Sequence, residues 1–456
     1  CVTEIADTAS GSSTGLGQGV FFGHGLTNAT QLDGFTVRGL ASTGSPATTA
    51  AITMQSGGTV SNNVIEGGSA PTSYGIVFTA PSLPLSGVYA PRILRNSISG
   101  GSTISGFPVT TSIALRDSGN VSPEIRENGY ISGGSASTTS IGIDLTGSAR
   151  GTLILDNVLG AKGVTAPNTV GVRLGNDVGG TKIARNTINL GGAITTSSRG
   201  ILTQSCSAGG GPIEISSNKL ITAGGSSSST LAYGIDNQSC QVVIDNNGTI
   251  SGKSIAGGGG VGIQCQGTGR CTITNNARIV GLDGVGGTSG RALIMLAMPV
   301  TVRGNGSIVG CTSAAPNCPS SYFEGVPAGS TVEGNVFDIN AATNYSVAIS
   351  ARWSNLLVSN NVVWVDGGAG ISLDVRPASG AVYETIVHSN TLIVPATAAS
   401  TRETQLLAVD NETTSGPPNG VFRNNLAVCL VAGGARYAFR EFGSFAEPRV
   451  LENNDF

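Results

Sequence analysis

Apolar and polar residues alternate along this chain in short runs, and the runs recur. The phrase "VSNNVI" at 60–65 returns as "ITNNARI" at 273–279, as "VSNNVVW" at 358–364 and as "VLENNDF" at 450–456. Taking the last Asn of each phrase as a marker, with Asp33 heading the series, gives Asn63, Asn96, Asn128, Asn157, Asn186, Asn218, Asn247, Asn276, Asn305, Asn335, Asn361, Asn390, Asn425 and Asn454. The gaps run from 26 to 35 residues, with a mean of about 30. Three residues before each Asn stand Val60, Ile93, Ile125, Ile154, Ile183, Ile215, Ile244, Ile273, Val302, Val332, Val358, Val387, Phe422 and Leu451. All are large and apolar, and most are β-branched.

A second apolar column lies midway through each repeat: Ile76, Leu115, Ile143, Val172, Ile201, Ile235, Ile263, Leu293, Ile349 and Ile371, most of them after a Gly or Ala. The flanking runs alternate apolar with polar and are rich in Val, Ile and Thr, which predicts strands of three to six residues. Gly-Gly and Ser-rich stretches between them predict turns. No helical period runs for a useful length.

Short strands in a unit of this size cannot bury a face alone, but stacked repeats can. Parallel pairing sets like residues about 4.8 Å apart, so Ile would lie on Ile and Val on Val. The expectation is an all-β, single-domain solenoid over 1–456, a right-handed parallel β-helix of about 15 coils, roughly 70 Å long.

The "[IV]-x-x-N-x-[IV]" phrase resembles the repeat of right-handed parallel β-helix proteins, the superfamily that includes pectate lyases. In those folds a column of turn Asn residues forms a side-chain hydrogen-bond ladder, which the resemblance implies for Asn63 through Asn454. Asn suits the role, since it tolerates the left-handed conformation of a sharp corner and its amide both donates and accepts. The sequons at Asn247 and Asn305 fall on ladder positions that should point inward, away from any glycan; Asn411 is the more exposed one. The resemblance covers essentially the whole chain and speaks to fold, not to activity.

Composition sharpens the picture. Gly makes up 69 of 456 residues and charged residues only 11%, a balance found in disordered tracts, yet 39% of residues are hydrophobic, enough to bury if organised. The net charge of −3 implies no basic face for nucleic acid. No apolar run reaches the roughly 18–20 residues of a membrane span. No signal-peptide pattern opens the chain, which suggests a mature form or a fragment.

Register sorts the eight cysteines. Cys206 and Cys240 each lie six residues after a mid-repeat Gly, so adjacent coils would bring them within disulfide reach. Cys265 and Cys271 bracket the turn "QGTGR", and Cys311 and Cys318 bracket "TSAAPN". Three disulfides are expected, and with them an oxidising compartment. Cys1 and Cys429 would lie thirteen coils apart, roughly 60 Å. They are free thiols, or Cys1 carries the lipid of a bacterial lipoprotein, or Cys1 of one subunit bonds Cys429 of the next.

The enzymes of the superfamily act on polysaccharides, and the resemblance implies clustered carboxylates, often with Ca²⁺, for such a member. No such cluster stands in register. "GHG" at 23–25 reads as chance, and His388 as a surface residue in a strand flank. The glycine-rich "GSSTGLGQG" at 11–19 lacks a phosphate loop's Lys. No cofactor and no metal site is expected. The strongest charged constellation is Arg116, Asp144 and Arg173, one residue after the apolar column on successive coils. It is an anionic-sugar contact or, more simply, a surface ion ladder worth about 1 kcal/mol or less per pair. Trp353, Trp364, Tyr437, Phe439, Phe442 and Phe445 gather late; exposed aromatics stack on sugars or pack in interfaces. Trp353 and Trp364 are the glycan-contact candidates among them.

No amphipathic capping helix is visible at either end, although solenoids usually carry one. A fragment of a longer solenoid fits this pattern, and so does a subunit capped end to end by its own copy. The leading expectation is a non-catalytic extracellular or bacterial-surface structural protein: a fibre subunit or adhesive stalk whose partner is itself. The alternatives are a polysaccharide lyase or glycoside hydrolase, and a glycan-binding surface lipoprotein held to the membrane only through Cys1.

Overall fold

The computed structural model describes residues 3–6, 17–23, 25–40, 48–79, 90–103, 108–117, 119, 121–147, 149–161, 165–191, 196–206, 210–225, 231–254, 259–282, 290–310, 319–339, 347–374, 383–396, 398, 403–410, 420–431, 435–442 and 448–456. Cys1, Cys311, Cys318, His24, Asn411 and Phe445 lie outside them, so the pairing expected of Cys311 with Cys318 lies outside the described residues too. The described residues form strands and no helix, in a parallel β-solenoid with three sheets. Two compact units make up the chain, Cys1–Ser226 and Ser227–Phe456.

In the first unit the first sheet runs through Gly17–Phe22, Thr48–Met54, Thr72–Phe78, Thr111–Asp117, Thr139–Leu145, Asn168–Gly175 and Ser197–Gln204, each parallel to the next. In the second unit it runs through Leu231–Gln238, Gly260–Gln266, Gly290–Leu296, Pro319–Glu324, Val347–Arg352, Gly368–Asp374, Thr404–Asp410 and Arg436–Phe442. After each first-sheet strand comes a short second-sheet strand, such as Glu124–Arg126, then the Asn corner, then a third-sheet strand, such as Tyr130–Ser132.

The apolar columns become stacks. Ile52, Ile76, Leu115, Ile143, Val172 and Ile201 line the first sheet's inner face and are fully buried. Val60, Ile93, Ile125, Ile154, Ile183 and Ile215 do the same in the second sheet, and Ile65, Ile98, Ile131, Leu159, Ile188 and Ile221 in the third. Every coil therefore contributes the same three anchors.

First-sheet strands are longer than the three to six residues expected, reaching 7 at Thr111–Asp117 and 8 at Asn168–Gly175. The Gly or Ala before each mid-repeat residue lies inside the strand. The ladder pairs Ile141 with Val170 and Ile143 with Val172, passing over Gly142 and Gly171. A Cβ on Gly171 would lie 2.5 Å from the Gly200 carbonyl and 2.9 Å from Ile188 Cγ2, so the close approach of successive coils favours Gly there.

The Asn ladder is present in both units. The backbone N–H of Asn63 donates to Asn96 Oδ1 (2.9 Å), Asn96 to Asn128 (2.9 Å), Asn128 to Asn157 (3.1 Å), Asn157 to Asn186 (2.9 Å) and Asn186 to Asn218 (2.9 Å). In the second unit the same bond links Asn247, Asn276, Asn305, Asn335, Asn361, Asn390, Asn425 and Asn454 in turn. Each Nδ2 also donates to the next amide and to a rung carbonyl one coil back, as Asn157 does to Asn186 Oδ1 (3.0 Å) and Ile125 O (2.9 Å). The inward amide is thereby satisfied in the interior. Asn247 and Asn305 are 1% exposed, which removes both sequons from the surface.

Two details of the corner correct the expectation. Asp33 is not a rung: the N–H donating to Asn63 Oδ1 belongs to Phe35 (2.8 Å), while exposed Asp33 accepts from Ser61 Oγ and Asn62 Nδ2. Leu32 pairs with Val60, so the position three residues on is 35, not 33. And the left-handed residue is not the ladder Asn but the one before it: Asn62, Arg95, Glu127, Asp156, Arg185, Ser217, Asn246, Asn275, Asn360, Ser389, Asn424 and Asn453 all have φ between 51° and 58°. The corner splits the labour, with one residue turning the chain outside and the next bonding inside.

Candidate functional site

Ion pairs occur on all three sheets, but one with a fully buried carboxylate lies on the outer face of the first sheet, where two columns flank the skipped Gly. In the first unit, Arg116 pairs in register with Asp144, and Asp144 with Arg173. Arg173 holds the carboxylate with both arms, Nε to Oδ1 at 2.8 Å and Nη2 to Oδ2 at 2.5 Å. Arg116 Nη1 stands 4.0 Å from Asp144 Oδ2, donates to Tyr74 Oη at 3.3 Å and lies over the Tyr74 ring. The three expected neighbours are neighbours, but they are no surface ladder. Asp144 is 0% exposed, covered between the two guanidiniums. The arginines keep partial access to water, but the carboxylate is fully desolvated, so its pairing matters more than that of an exposed pair. Burial also pushes the Tyr74 hydroxyl above its ordinary value.

Asp117 follows Arg116 but faces inward. It occupies the column of Phe78 and Leu145 and is fully buried. Its Oδ1 accepts the Gly119 N–H at 2.8 Å, capping the corner, while Oδ2 has no partner among the described residues. Desolvation, with the nearby Asp144 charge, pushes its carboxyl up to about 7 against the Gly119 bond and Arg116. An acid in the slot that Phe78 and Leu145 fill on the adjoining coils was legible from the register.

A second constellation stands on the same face in the second unit, and sequence reading missed most of it. Arg291 lies over the Tyr322 ring at 5.1 Å. The Tyr322 hydroxyl donates to Glu324 Oε2 at 2.7 Å and receives Arg352 Nη1 at 3.5 Å. Arg352 also stands 3.7 Å from Glu324 and 3.3 Å from Asp374, and its guanidinium lies 4.2 Å from the Trp353 ring centroid. Glu324, Arg352 and Asp374 are one column, paired coil to coil. Trp353 lines a shallow cleft with Ser354, Leu373, Asp374, Tyr383 and Thr385. The signal that would have found them is position: Tyr322 is one residue after the mid-repeat column, and Arg352 three after Ile349.

Trp353 and Trp364 do not share a face. Trp353 sits at the corner after the first sheet, whereas Trp364 lies on third-sheet strand Val362–Val365 with its ring outward, 36% exposed. Tyr437 and Phe442 flank Arg440, which also pairs with Glu403. Phe439 packs edge-on against Phe422 instead.

Cys265 and Cys271 form a disulfide with Cα atoms 6.4 Å apart, joining a first-sheet to a second-sheet strand across their corner. Cys206 and Cys240 are both disulfide-bonded, and Cys429 is an exposed free thiol. His388 is half-buried with Nδ1 3.2 Å from Ser389 Oγ. Among the described residues no three His, Cys, Asp or Glu gather as a metal site, and no helix is long and apolar enough to cross a membrane.

No protein-family model matches the chain, and no curated protein matches it either.

Proposed function

We propose that the chain is a non-catalytic extracellular structural protein, a stiff stalk or fibre subunit. The observation that carries this reading is the ladder of buried Asn amides, each bonded to the next coil and to a rung carbonyl behind it. Such a seam resists bending and opening, because displacing one coil strands several buried polar groups at once. Disulfides fit an oxidising location, and the exposed Cys429 thiol offers a handle for covalent linkage between copies. The likeness to right-handed parallel β-helix proteins is one of fold and brings no activity with it.

Non-reducing electrophoresis and analytical ultracentrifugation of native material test this. Covalent or end-to-end multimers that collapse on reduction, or on Cys429→Ser, support a fibre subunit. A strict monomer that cleaves a polysaccharide sinks the reading.

Glycan binding is the second reading, favoured by the arginine and aromatic groups around Tyr322 and Trp353.

A further inference from the structure

We propose that the outer face of the first sheet in the second unit binds a glycan with one isolated acidic sugar, whose carboxylate seats on Arg291. The site stands apart from the stalk reading, since a monomer and a fibre would carry it equally.

Arg291 is the first argument. It is half-buried, and among the described residues it has no ion pair and no hydrogen bond; its one close partner is the Tyr322 ring. Burial holds its guanidinium below the ordinary value, and the Glu324 carboxylate, which is bonded to Tyr322 and Arg352 rather than to Arg291, offsets that desolvation only in part. Other arginines of the first-sheet face are compensated: Arg173 by Asp144, Arg352 by Glu324 and Asp374. A planar fork of donors lying half out of water without a bonded anion suits a carboxylate ligand.

Trp353 is the second and independent argument. In the second unit, five successive corners after the first sheet are turned by a left-handed residue: Ser239 (φ 69°), Gly267 (97°), Ala297 (53°), Gly325 (63°) and Trp353 (47°). The other occupants are small. A bulky ring in that conformation costs about 1 kcal/mol or more, and such strain at a surface position points to a use for the side chain. The ring lies beside the cleft, one face capped by Arg352.

The neighbours define the ligand. Glu324 and Asp374 present acceptors suited to sugar hydroxyls, but they repel further negative charge. A homopolymer with an acid on every ring would set some of its charges against them. A single acidic ring on Arg291, continued by neutral sugars toward Trp353, meets complementary groups throughout. Successive rungs stand about 4.8 Å apart, comparable to one sugar ring.

Binding of sialyllactose, lactose and an oligogalacturonate to the full chain, read by calorimetry or ligand-observed NMR, tests this. Sialyllactose should bind, lactose far more weakly, and the oligogalacturonate more weakly than sialyllactose. Arg291→Gln should weaken sialyllactose binding about tenfold or more, and Arg291→Lys less. The thermal midpoint of Arg291→Gln should stay at or above wild type, because a half-buried charge with no bonded counter-ion is removed. Trp353→Asn should lose affinity while remaining folded. Lactose or oligogalacturonate binding as tightly as sialyllactose, no binding of sialyllactose, or a fully active Arg291→Gln overturns the proposal.

Discussion

Arg173 and Asp144, one coil apart, form a two-armed ion pair in which the carboxylate has no exposed surface. Removing Arg173 leaves the buried carboxylate only Arg116, 4.0 Å away. Arg173→Met should cost about 3 kcal/mol of stability, with Asp144→Leu similar. The double variant should recover most of that loss. Urea unfolding of the four proteins checks this, and purely additive losses would show the pair to be independent.

The Asp117 carboxyl gives the molecule a pH dependence. Its folded value of about 7 lies above its ordinary one, because burial, and then Asp144, disfavour the charge. Between about pH 4 and 7 the folded state keeps a proton that the unfolded state has released. Stability should therefore fall as pH rises through that window and level off above it. Asp117→Asn keeps the acceptor for Gly119 and should flatten the profile while stabilising the protein at pH 8. Parallel wild-type and variant curves would falsify the assignment.

Ladder position sets the cost of losing an amide. Asn157→Ala strands the N–H of Asn128 and the carbonyl of Ile125 in the interior, and about 3 kcal/mol or more should be lost. Asn454 is only half-buried, so Asn454→Ala should cost less than half as much. Thermal midpoints of the two variants decide the matter.

Thiol accessibility follows from the cysteine pattern. Iodoacetamide should label Cys429 in the native protein, whereas Cys265 and Cys271 should label only after reduction and denaturation. Peptide mapping reads the outcome directly; native labelling of Cys265 would contradict its disulfide.

The sequence carried the stacks because stacking is a periodic demand. Every coil needs a residue like Ile125 at the same distance from a residue like Asn128, and such repetition is visible in letters. What it hid were departures from the period. Asp117 puts a carboxyl in a slot that Phe78 and Leu145 fill on the adjoining coils, and Trp353 takes a corner that Ser239, Gly267, Ala297 and Gly325 take earlier in its unit. Arg291 and Tyr322 meet only through register between strands that lie 28 residues apart or more. Burial was hidden too: Asp144 reads as one more charge on a wall until Arg116 and Arg173 close over it. The misplacement of Asp33 came from counting markers by letter, when pairing of Leu32 with Val60 sets the count.

The Asn seam also has a sense. In each unit every main-chain N–H along it points to the amide oxygen of the coil that follows, never of the coil before. One side of any coil thus offers a hydrogen, and the other an oxygen. A copy that continued the seam would have to face the same way. Antiparallel docking would set oxygen against oxygen. Any growth along this seam would therefore be polar, like a row of arrows, since the two sides of a coil are chemically unlike and could be extended or blocked independently.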